Sequence, residues 1–240
     1  MDKNFCIKQD YVHKNGIANT ALNLGSDYWN ERRIDTSKYY QHSVYKVALD
    51  LAEKKFGKNF SVIDVGCGSG NKLMTLAYPR TQNVVGVDQE YIIGQARIVY
   101  PQATWFVNDL ENPDSAIGAG VDSYDLVICS DVIEHLLNPD VLLSKLKSIM
   151  HEKSILVIST PERDRIRGVD NMATPHPEHI REWNTIEFKN YLTASGFIVE
   201  DIKNMHAMKP HFGMLYFHFL RRNFWRTNYC MTAICTRTNS

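Results

Sequence analysis

The stretch SVIDVGCGSG, residues 61–70, joins a short apolar run to a turn that contains three glycines. The run is almost continuously apolar, which indicates a strand covered on both faces. Glycine permits the backbone angles of a tight turn and lets a ligand approach the main chain closely. Open α/β sheets bind ligands at the carboxyl ends of their strands. The stretch therefore predicts the first strand of such a sheet, with a ligand site at its end.

The spacing of the glycines indicates which ligand the turn accepts. A dinucleotide site has the pattern G-x-G-x-x-G, whose amides face a pyrophosphate. Here the pattern is G-x-G-x-G, and Asn71 stands where the third glycine would be. A carboxylate before the turn, at Asp64, would repel a pyrophosphate but suit a ligand that carries an ammonium and a sulfonium. The predicted ligand contacts are Asp64, Gly66, Cys67 and Gly68. A purely structural turn is the alternative.

Outward from this stretch, strands and helices alternate along the chain. Short apolar runs predict seven strands, at residues 61–65, 83–87, 104–107, 125–129, 154–159, 197–202 and 231–236. Helical spacing of apolar residues predicts helices at residues 35–56, 71–77, 90–99, 140–150 and 184–194. This alternation predicts an α/β fold with a doubly wound, mostly parallel, Rossmann-like seven-stranded sheet.

The same reading divides the chain into parts. Residues 1–56 are predicted to form an N-terminal helical arm that acts as a lid, and residues 57–240 the Rossmann-like domain. Two inserted loops interrupt this domain, at residues 160–183 and 205–229. Loops of that length inside a compact domain tend to be functional. The second insert mixes aromatic and basic residues, and we expect it to pack on the sheet edge rather than at a membrane interface.

Polar residues stand at the ends of three further strands. Asp88 ends the second strand, 22 residues after the first glycine of the turn, where a carboxylate can accept both ribose hydroxyls. Gln89 follows it and is predicted to share the site. Asn108 and Asp109 end the third strand and are predicted to bind an adenine amino group, with an Asx turn as the alternative. Ser130 ends the fourth strand at the same edge.

Candidate acid and base groups follow the fourth strand and lie in the first insert. Glu134 and His135 come directly after that strand, over the predicted cleft. Histidine can act as a base there because its ordinary pKa is near neutrality. His176 is flanked by two prolines, so it belongs to a loop, and a surface role is favoured for it. We predict Glu134, His135 and His179 as the catalytic group, with ordinary packing as the alternative.

Two sets of side chains suit substrate binding. Arginines of the first insert would bind a phosphate, carboxylate or nucleotide sugar, and a solvated loop paired with nearby acids is equally compatible. They are Arg163, Arg165, Arg167 and Arg181. Aromatic residues of the arm could form a lid above the ligand or could simply pack. They are Tyr28, Trp29, Tyr39 and Tyr40.

Composition excludes some classes of protein. The 240 residues include 27 basic and 27 acidic side chains, so the basic excess of a nucleic-acid binder is missing and we expect no nucleic-acid partner. Five cysteines without a CxxC pair predict neither a disulfide framework nor a zinc site. We find no apolar run of about 18 residues and no apolar leader segment, so we expect a cytoplasmic protein without stable membrane insertion.

Four ordered motifs, IDVGCGSG, VVGVD, NDLE and YDLVICSDVIEHL, resemble those of the class I S-adenosylmethionine-dependent methyltransferases over about residues 61–160. The resemblance implies that the cofactor is S-adenosylmethionine. It also implies roles for single residues: Asp64, Gly66 and Gly68 at the methionine end, Asp88 at the ribose hydroxyls, Asp109 at the adenine, and Ser130 near the methionine amino group.

Shorter stretches point to branches of this family. SDVIEHLLNP is similar to ubiquinone-biosynthesis O-methyltransferases, whereas STPERDRIRG and PHPEHIREWN are similar to bacterial methyltransferases associated with glycan synthesis. No Asn-Pro-Pro-Tyr/Phe motif follows the fourth strand, which disfavours the branches that methylate nucleic acids and glutamine. We therefore expect methyl transfer to an oxygen or nitrogen of a small molecule, with a sugar or glycan precursor as the predicted acceptor.

Several alternatives remain beside this expectation. They are a ubiquinone-type phenol O-methyltransferase, a catalytically silent methyltransferase-like domain that binds a partner, and an NAD-dependent dehydrogenase, which the glycine spacing disfavours. Some ubiquinone-type enzymes need a divalent metal, but no full ligand set can be matched here, so no metal is expected. The oligomeric state is left open.

Overall fold

The computed structural model describes residues 4–14, 28–117, 123–206 and 229–238. Almost all of the second predicted insert, 205–229, lies outside these ranges. Seven strands form one sheet in the order β3-β2-β1-β4-β5-β7-β6. Their bounds are β1 Val62–Val65, β2 Val84–Asp88, β3 Thr104–Val107, β4 Tyr124–Ser130, β5 Met150–Pro161, β6 Phe197–His206 and β7 Tyr229–Arg237.

The first five strands are parallel, and β7 runs antiparallel to both β5 and β6. The strand order reverses between β1 and β4, so the carboxyl ends of β1, β2, β3 and β4 meet at one edge beside a crevice. The prediction of a mostly parallel, Rossmann-like α/β sheet is confirmed. The sheet places the motif residues that follow four of its strands at the same edge.

The helices are α1 Glu31–Ser37, α2 His42–Phe56, α3 Glu90–Val99, α4 Pro139–Ser148, α5 Arg163–Arg167 and α6 Thr185–Ala194, with a π-helical turn at Leu73–Ala77 and a 3-10 turn at Ile133–His135. The predicted single helix over 35–56 is wrong. Gln41 has φ 54°, a left-handed conformation that cannot continue a helix, and it separates α1 from α2. The predicted helix over 140–150 is also too long, because Met150 already begins β5.

Both faces of the sheet are covered. In β1, Val62 joins the core beneath α2 and α3, whereas Ile63 joins the core on the opposite face, beneath α4 and α6. Each is 0% exposed. Burying a side chain of this size contributes roughly 1.5–3 kcal/mol, so the continuous apolar runs of the sequence are explained by two-sided packing. This rigid sheet holds the loops at its carboxyl edge in place.

The first insert is fastened to the body of the protein rather than solvated. Arg163 is 0% exposed and binds both carboxylate oxygens of Glu187, at 2.6 and 3.0 Å. Arg181 is buried and donates to the carbonyls of Leu136 and Leu137. A basic substrate-binding face and a solvated loop are therefore both wrong for these two arginines, although Arg163 does pair with Asp164, one of the nearby acids. Arg163 is paired with internal carboxylates, and the donors of Arg181 are occupied by backbone carbonyls.

The N-terminal segment 4–14 helps to fasten the insert. Ile7 and Tyr11 are buried, and the hydroxyl of Tyr11 accepts a hydrogen bond from the amide of Glu182. Trp183 donates its indole N–H to the carbonyl of Phe5 at 2.9 Å. The start of the chain therefore packs on the insert that follows β5. Within the ranges described, no helix is long and apolar enough to cross a bilayer.

Candidate active site

The glycine-rich turn lies at the carboxyl end of β1 and needs its glycines. Gly66 has φ 82°, and a Cβ there would overlap the side chain of Val132, so no larger residue fits. Gly68 has φ 57°, and a Cβ there would lie 3.1 Å from the ring of Trp29. The absence of a Cβ at these two positions leaves room for Val132 and Trp29 against the turn, and both glycines line the larger of two neighbouring cavities. Cys67 is buried between the two glycines.

Asp64 is buried beneath the turn. Its Oδ2 accepts a hydrogen bond from the hydroxyl of Tyr45 at 2.6 Å, and within the described ranges its Oδ1 has no hydrogen-bond partner. Burial raises the pKa of this carboxyl to about 7, although Tyr45 and the nearby Lys72 oppose the shift. A cationic ligand above the turn would stabilise the ionised form.

Replacing Asp64 by asparagine is expected to stabilise the ligand-free protein above neutral pH. The folded-state pKa of about 7 lies above the unfolded value, so the wild type loses stability as the pH rises from about 4 to 7. Asparagine carries no charge and still accepts from Tyr45. We expect a gain of roughly 1–4 kcal/mol at pH 8 and almost none at pH 4. Urea unfolding at both pH values measures it. An equal gain in the free energy of unfolding at both pH values would contradict the account. Asp114→Asn, at an exposed acid, serves as the control.

Asp88 ends β2 and holds the turn from the side. Its Oδ2 accepts from the amide of Gly68 at 2.7 Å, and its Oδ1 accepts from the amide of Gln89 at 2.8 Å. Burial raises the pKa of Asp88, and the two backbone hydrogen bonds oppose that shift. A carboxylate has room for further donors beyond these two bonds. Asp88 can therefore shape the turn and accept ligand hydroxyls together.

A cavity of about 130 Å³ opens between the carboxyl ends of β1, β2 and β3. Five of the residues predicted to bind the cofactor line it: Gly66, Asp88, Gln89, Asn108 and Asp109. Their meeting in one cavity follows from the parallel strands, because each residue stands at a strand end. The remaining predicted contacts are placed elsewhere. Cys67, Gly68 and Ser130 line a neighbouring, larger cavity, whereas Asp64 is buried and lines neither cavity.

The side chains of Asn108 and Asp109 also make hydrogen bonds within the protein. The side chain of Asn108 donates to the carbonyl of Ala116 and accepts from Lys145. Asp109 accepts from the amide of Glu111 through Oδ1, which is the Asx turn considered as an alternative. The loop after β3 is therefore well anchored. Asp109 also lines the smaller cavity.

The end of β4 carries a strained aspartate. Asp131 has φ 55° and accepts from Ser159 at 2.7 Å and from Gln41 at 2.5 Å. The hydroxyl of Ser130 makes a hydrogen bond with the hydroxyl of Ser159. Backbone strain in a non-glycine residue persists where its surroundings hold it, and it concentrates at functional sites. Asp131 lines both cavities, so it lies at their boundary.

The larger cavity, of about 710 Å³, contains the predicted base His179. Its Nδ1 lies 2.6 Å from Oε1 of Glu182, whose carboxylate also binds Arg167 at 3.0 and 3.1 Å. Burial opposes ionisation of Glu182, but the hydrogen bonds from His179 and Arg167 outweigh it and lower the pKa of Glu182 to about 2. A carboxylate accepts, so Nδ1 of His179 donates to Glu182, and in the neutral ring Nε2 then carries the lone pair.

Two further imidazoles flank His179. His176 stacks on it at 3.8 Å, and His135 meets it edge-on at 4.8 Å between ring centroids. Burial, followed by the charge of His179, lowers the pKa of both His135 and His176 to about 4. His135 binds the carbonyl of Glu178 through Nδ1. Both rings are neutral at physiological pH and hold a proton poorly, so neither is well suited to act as a base.

Glu134 is fully buried beside these histidines. Thr160 donates to its Oε2 at 2.9 Å, and Oε1 has no hydrogen-bond partner among the described residues. Burial, then the charge of Asp131, raises the pKa of Glu134 well above its usual range. Glu134, His135 and His179 each offer one ligand atom, all within 4.8 Å of one another. Although no metal was expected, this group has the donor atoms of a divalent-cation site.

Several residues of the site were missed in the sequence. Tyr45 binds Asp64, Gln41 binds Asp131, and Glu182 orients His179. None belongs to the motifs at the strand ends. Only Glu182 carried a signal, as an acid three residues after a candidate base, and its role appears only when the insert is folded.

Taken together, the parallel sheet, the ligand-open turn and the strand-end carboxylates define a nucleotide-cofactor-binding α/β protein. The family described as Methyltransferase domain matches residues 33–202. The chain belongs to this family of S-adenosylmethionine-dependent methyltransferases, and its cofactor is S-adenosylmethionine. The predictions of a methyltransferase family, which is a family of enzymes, and of its cofactor are confirmed at this level. The roles of individual site residues stay predictions.

Similar proteins were found in sequence and in structure. A probable S-adenosylmethionine-dependent methyltransferase of Mycolicibacterium smegmatis is 30% identical over 63% of this chain and 56% of its own length. A ubiquinone biosynthesis O-methyltransferase of Roseobacter denitrificans is 28% identical over 67% of the chain and 64% of its own length. The match therefore spans somewhat more than half of these curated relatives.

Solved structures share the fold. The N-methyltransferase NodS of Bradyrhizobium japonicum, in complex with S-adenosyl-L-homocysteine, has a TM-score of 0.63 at 15% identity and covers 92% of this chain and 100% of its own. The magnesium protoporphyrin IX methyltransferase of Synechocystis has a TM-score of 0.59 at 20% identity, with coverage of 91% and 97%. At such identities the likeness shows the fold alone.

Proposed function

We propose that this chain transfers the methyl group of S-adenosylmethionine to an oxygen or nitrogen of a small molecule, with a sugar or glycan precursor as the acceptor. The observation that carries the proposal is the position of His179. It lies in the larger cavity, backed by an ionised carboxylate, beside the cavity lined by the predicted cofactor contacts. The volume of about 710 Å³ lies within the roughly 300–1,000 Å³ typical of small-molecule sites.

The two cavities adjoin, which suits a two-substrate reaction. Gly66, Asp131 and His135 line both, so a ligand in either cavity would reach the shared wall. We assign the smaller cavity to the adenosine part of the cofactor and the larger one to its methionine end and to the acceptor. Methyl transfer would then take place at the wall formed by the end of β4.

In this proposal the protein aligns the acceptor with the methyl group of the cofactor and removes the proton of the acceptor. Bound S-adenosylmethionine supplies an electrophilic methyl group on a good leaving group, so alignment is a large part of catalysis. Asp88, Asn108 and Asp109 would fix the adenosine. Nε2 of His179 would take the proton of the acceptor hydroxyl, while Glu182 holds the ring and stabilises its protonated form. His135 and Glu134 would shape the wall against which the acceptor lies.

An acceptor panel tests this function. Purified protein is incubated with S-adenosylmethionine and with sugars, nucleotide sugars, catechols or primary amines, and formation of S-adenosylhomocysteine that depends on the acceptor is measured. Turnover with a sugar or nucleotide sugar is the expected result. Turnover with catechols alone would favour the second candidate, a ubiquinone-type phenol O-methyltransferase, which the named relative from Roseobacter denitrificans suggests. Cofactor binding without any turnover would favour the silent binding domain.

Removal of divalent cations is expected to leave the activity unchanged. In our proposal the lone pair of His179 Nε2 takes the acceptor proton, and a cation held by His179, His135 and Glu134 would occupy that lone pair. The measurement compares initial rates after dialysis against EDTA with rates after dialysis against buffer alone. If activity falls in EDTA and returns with Mg²⁺ or Zn²⁺, acceptor activation belongs to a metal at this cluster instead.

A further inference from the structure

Trp29 lies over the glycine-rich turn. Its ring atom Cζ3 would be 3.6 Å and its Cη2 3.1 Å from a Cβ on Gly68, so the indole covers the backbone that the turn leaves open. The ring also lines both cavities. It is the only tryptophan that lines either of them among the described residues. The first residues of the described arm thus reach the centre of the site.

The indole N–H of Trp29 is buried and lacks an acceptor. Within the described ranges, no atom accepts a hydrogen bond from its Nε1. By contrast, Trp105 and Trp183 donate their indole N–H groups to the carbonyls of Tyr100 and Phe5 at 2.9 Å each. A buried donor without a partner costs about 1–3 kcal/mol, and native proteins rarely leave one without a reason. A bound ligand would supply the missing acceptor.

Trp29 is held in this position by its neighbours. Tyr28 meets its ring edge-on at 5.2 Å, and the guanidinium of Arg33 lies 3.9 Å above the Tyr28 ring. Arg33 in turn binds both carboxylate oxygens of Glu178, at 2.7 and 3.2 Å. This chain of contacts joins the arm to the first insert. The indole is therefore presented to the site rather than packed into the core.

We propose that Trp29 is a cofactor-binding residue: its ring closes the methionine end of the S-adenosylmethionine site, and its N–H donates to the cofactor carboxylate. The carboxylate is the strongest acceptor that an amino-acid group offers at the glycine turn. Lys72 lines the larger cavity, as Trp29 does, and would add a positive charge beside the cofactor carboxylate. The inference rests on the cofactor and does not depend on which acceptor is methylated.

The size of the smaller cavity agrees with a closed arm. About 130 Å³ is less than the roughly 300–1,000 Å³ of typical ligand sites. Because Tyr28, Trp29 and Glu178 all line it, moving the arm away from the insert would enlarge it. The arm would open for the cofactor to enter and would close with Trp29 against it.

Two substitutions separate the ring from its N–H. Trp29→Phe keeps an aromatic ring but removes the donor, and Trp29→Ala removes both. Calorimetric titration with S-adenosylhomocysteine, which carries the same carboxylate, is expected to show binding about tenfold weaker in Trp29→Phe and weaker still in Trp29→Ala, as loss of one hydrogen bond to a charged group predicts. Tyr91→Phe, at an exposed tyrosine of α3 that lines neither cavity, should bind like the wild type.

Tryptophan fluorescence gives an independent readout without an acceptor. Adding S-adenosylhomocysteine should change the emission of the wild type, and this change should be absent in Trp29→Phe at saturating ligand. If Trp29→Phe binds as tightly as the wild type, the proposed hydrogen bond is wrong. If Trp29→Ala also binds normally, Trp29 is no part of the site. Both experiments measure the binding of S-adenosylhomocysteine and need no acceptor. Their outcome is therefore independent of whether an acceptor is found.

Discussion

Substitution of Asp88 by alanine is expected to weaken the binding of S-adenosylhomocysteine by about a hundredfold or more. The variant loses the carboxylate proposed to accept both ribose hydroxyls, and each hydrogen bond to a charged group contributes about 1.5–3 kcal/mol. It also frees the amide of Gly68, which Asp88 holds at 2.7 Å, so the turn itself becomes less defined. Calorimetric titration of the wild type and the variant measures the change in Kd.

Two controls separate ribose binding from damage to the fold. Asp88→Asn retains one oxygen acceptor and should fall between the wild type and Asp88→Ala. Asp114→Ala removes an exposed acid on the loop after β3 that lines neither cavity and should bind normally. Urea unfolding shows whether each variant is folded at the temperature of the titration. A folded Asp88→Ala that binds within about twofold of the wild type would contradict the assignment of Asp88.

Substitution of His179 by glutamine is expected to lower kcat by about 100- to 10,000-fold, the range that general-base catalysis contributes. The affinity for S-adenosylhomocysteine should stay within about twofold of the wild type, because in our proposal His179 acts on the acceptor and does not line the smaller cavity that holds the adenosine part. This split between turnover and cofactor binding identifies a residue that acts on the acceptor. The measurement is single-turnover methyl transfer to the acceptor found in the panel.

The neighbouring histidine provides a matched control. His176 stacks on His179 at 3.8 Å, but its depressed pKa of about 4 makes it a weak proton acceptor. His176→Gln should therefore lower kcat by less than about tenfold. If His176→Gln is as damaging as His179→Gln, the stack acts as a unit or His176 is the base. If His179→Gln keeps full activity, the proposed base is wrong.

The parts of the molecule that could be predicted are those set by local patterns. A strand followed by a glycine turn is specified within residues 61–70, and the parallel order of strands then brings Asp88 and Asp109 to the same edge. No knowledge of distant contacts is needed for this step. For the same reason, the family and the cofactor follow from the motifs alone.

The parts that could not be predicted depend on contacts between distant segments. The sequence spacing of residues 35–56 favours one helix, whereas in the folded protein Gln41, at the break, donates to Asp131 at the end of β4. Charged residues of the first insert resemble a solvated loop, yet Arg163 is buried because Glu187, 24 residues away, faces it. Pairing of buried charges is decided by tertiary structure, which a single sequence does not display.

The most direct test of the central claim is calorimetric titration of the purified wild-type chain with S-adenosylmethionine and with S-adenosylhomocysteine. The account predicts that each binds to one site per chain, in about the micromolar range, and that NAD does not bind. That result would confirm a working cofactor site beneath the arm and leave the acceptor to be found. A folded protein that binds neither compound, or that binds NAD instead, would contradict the assignment of this site.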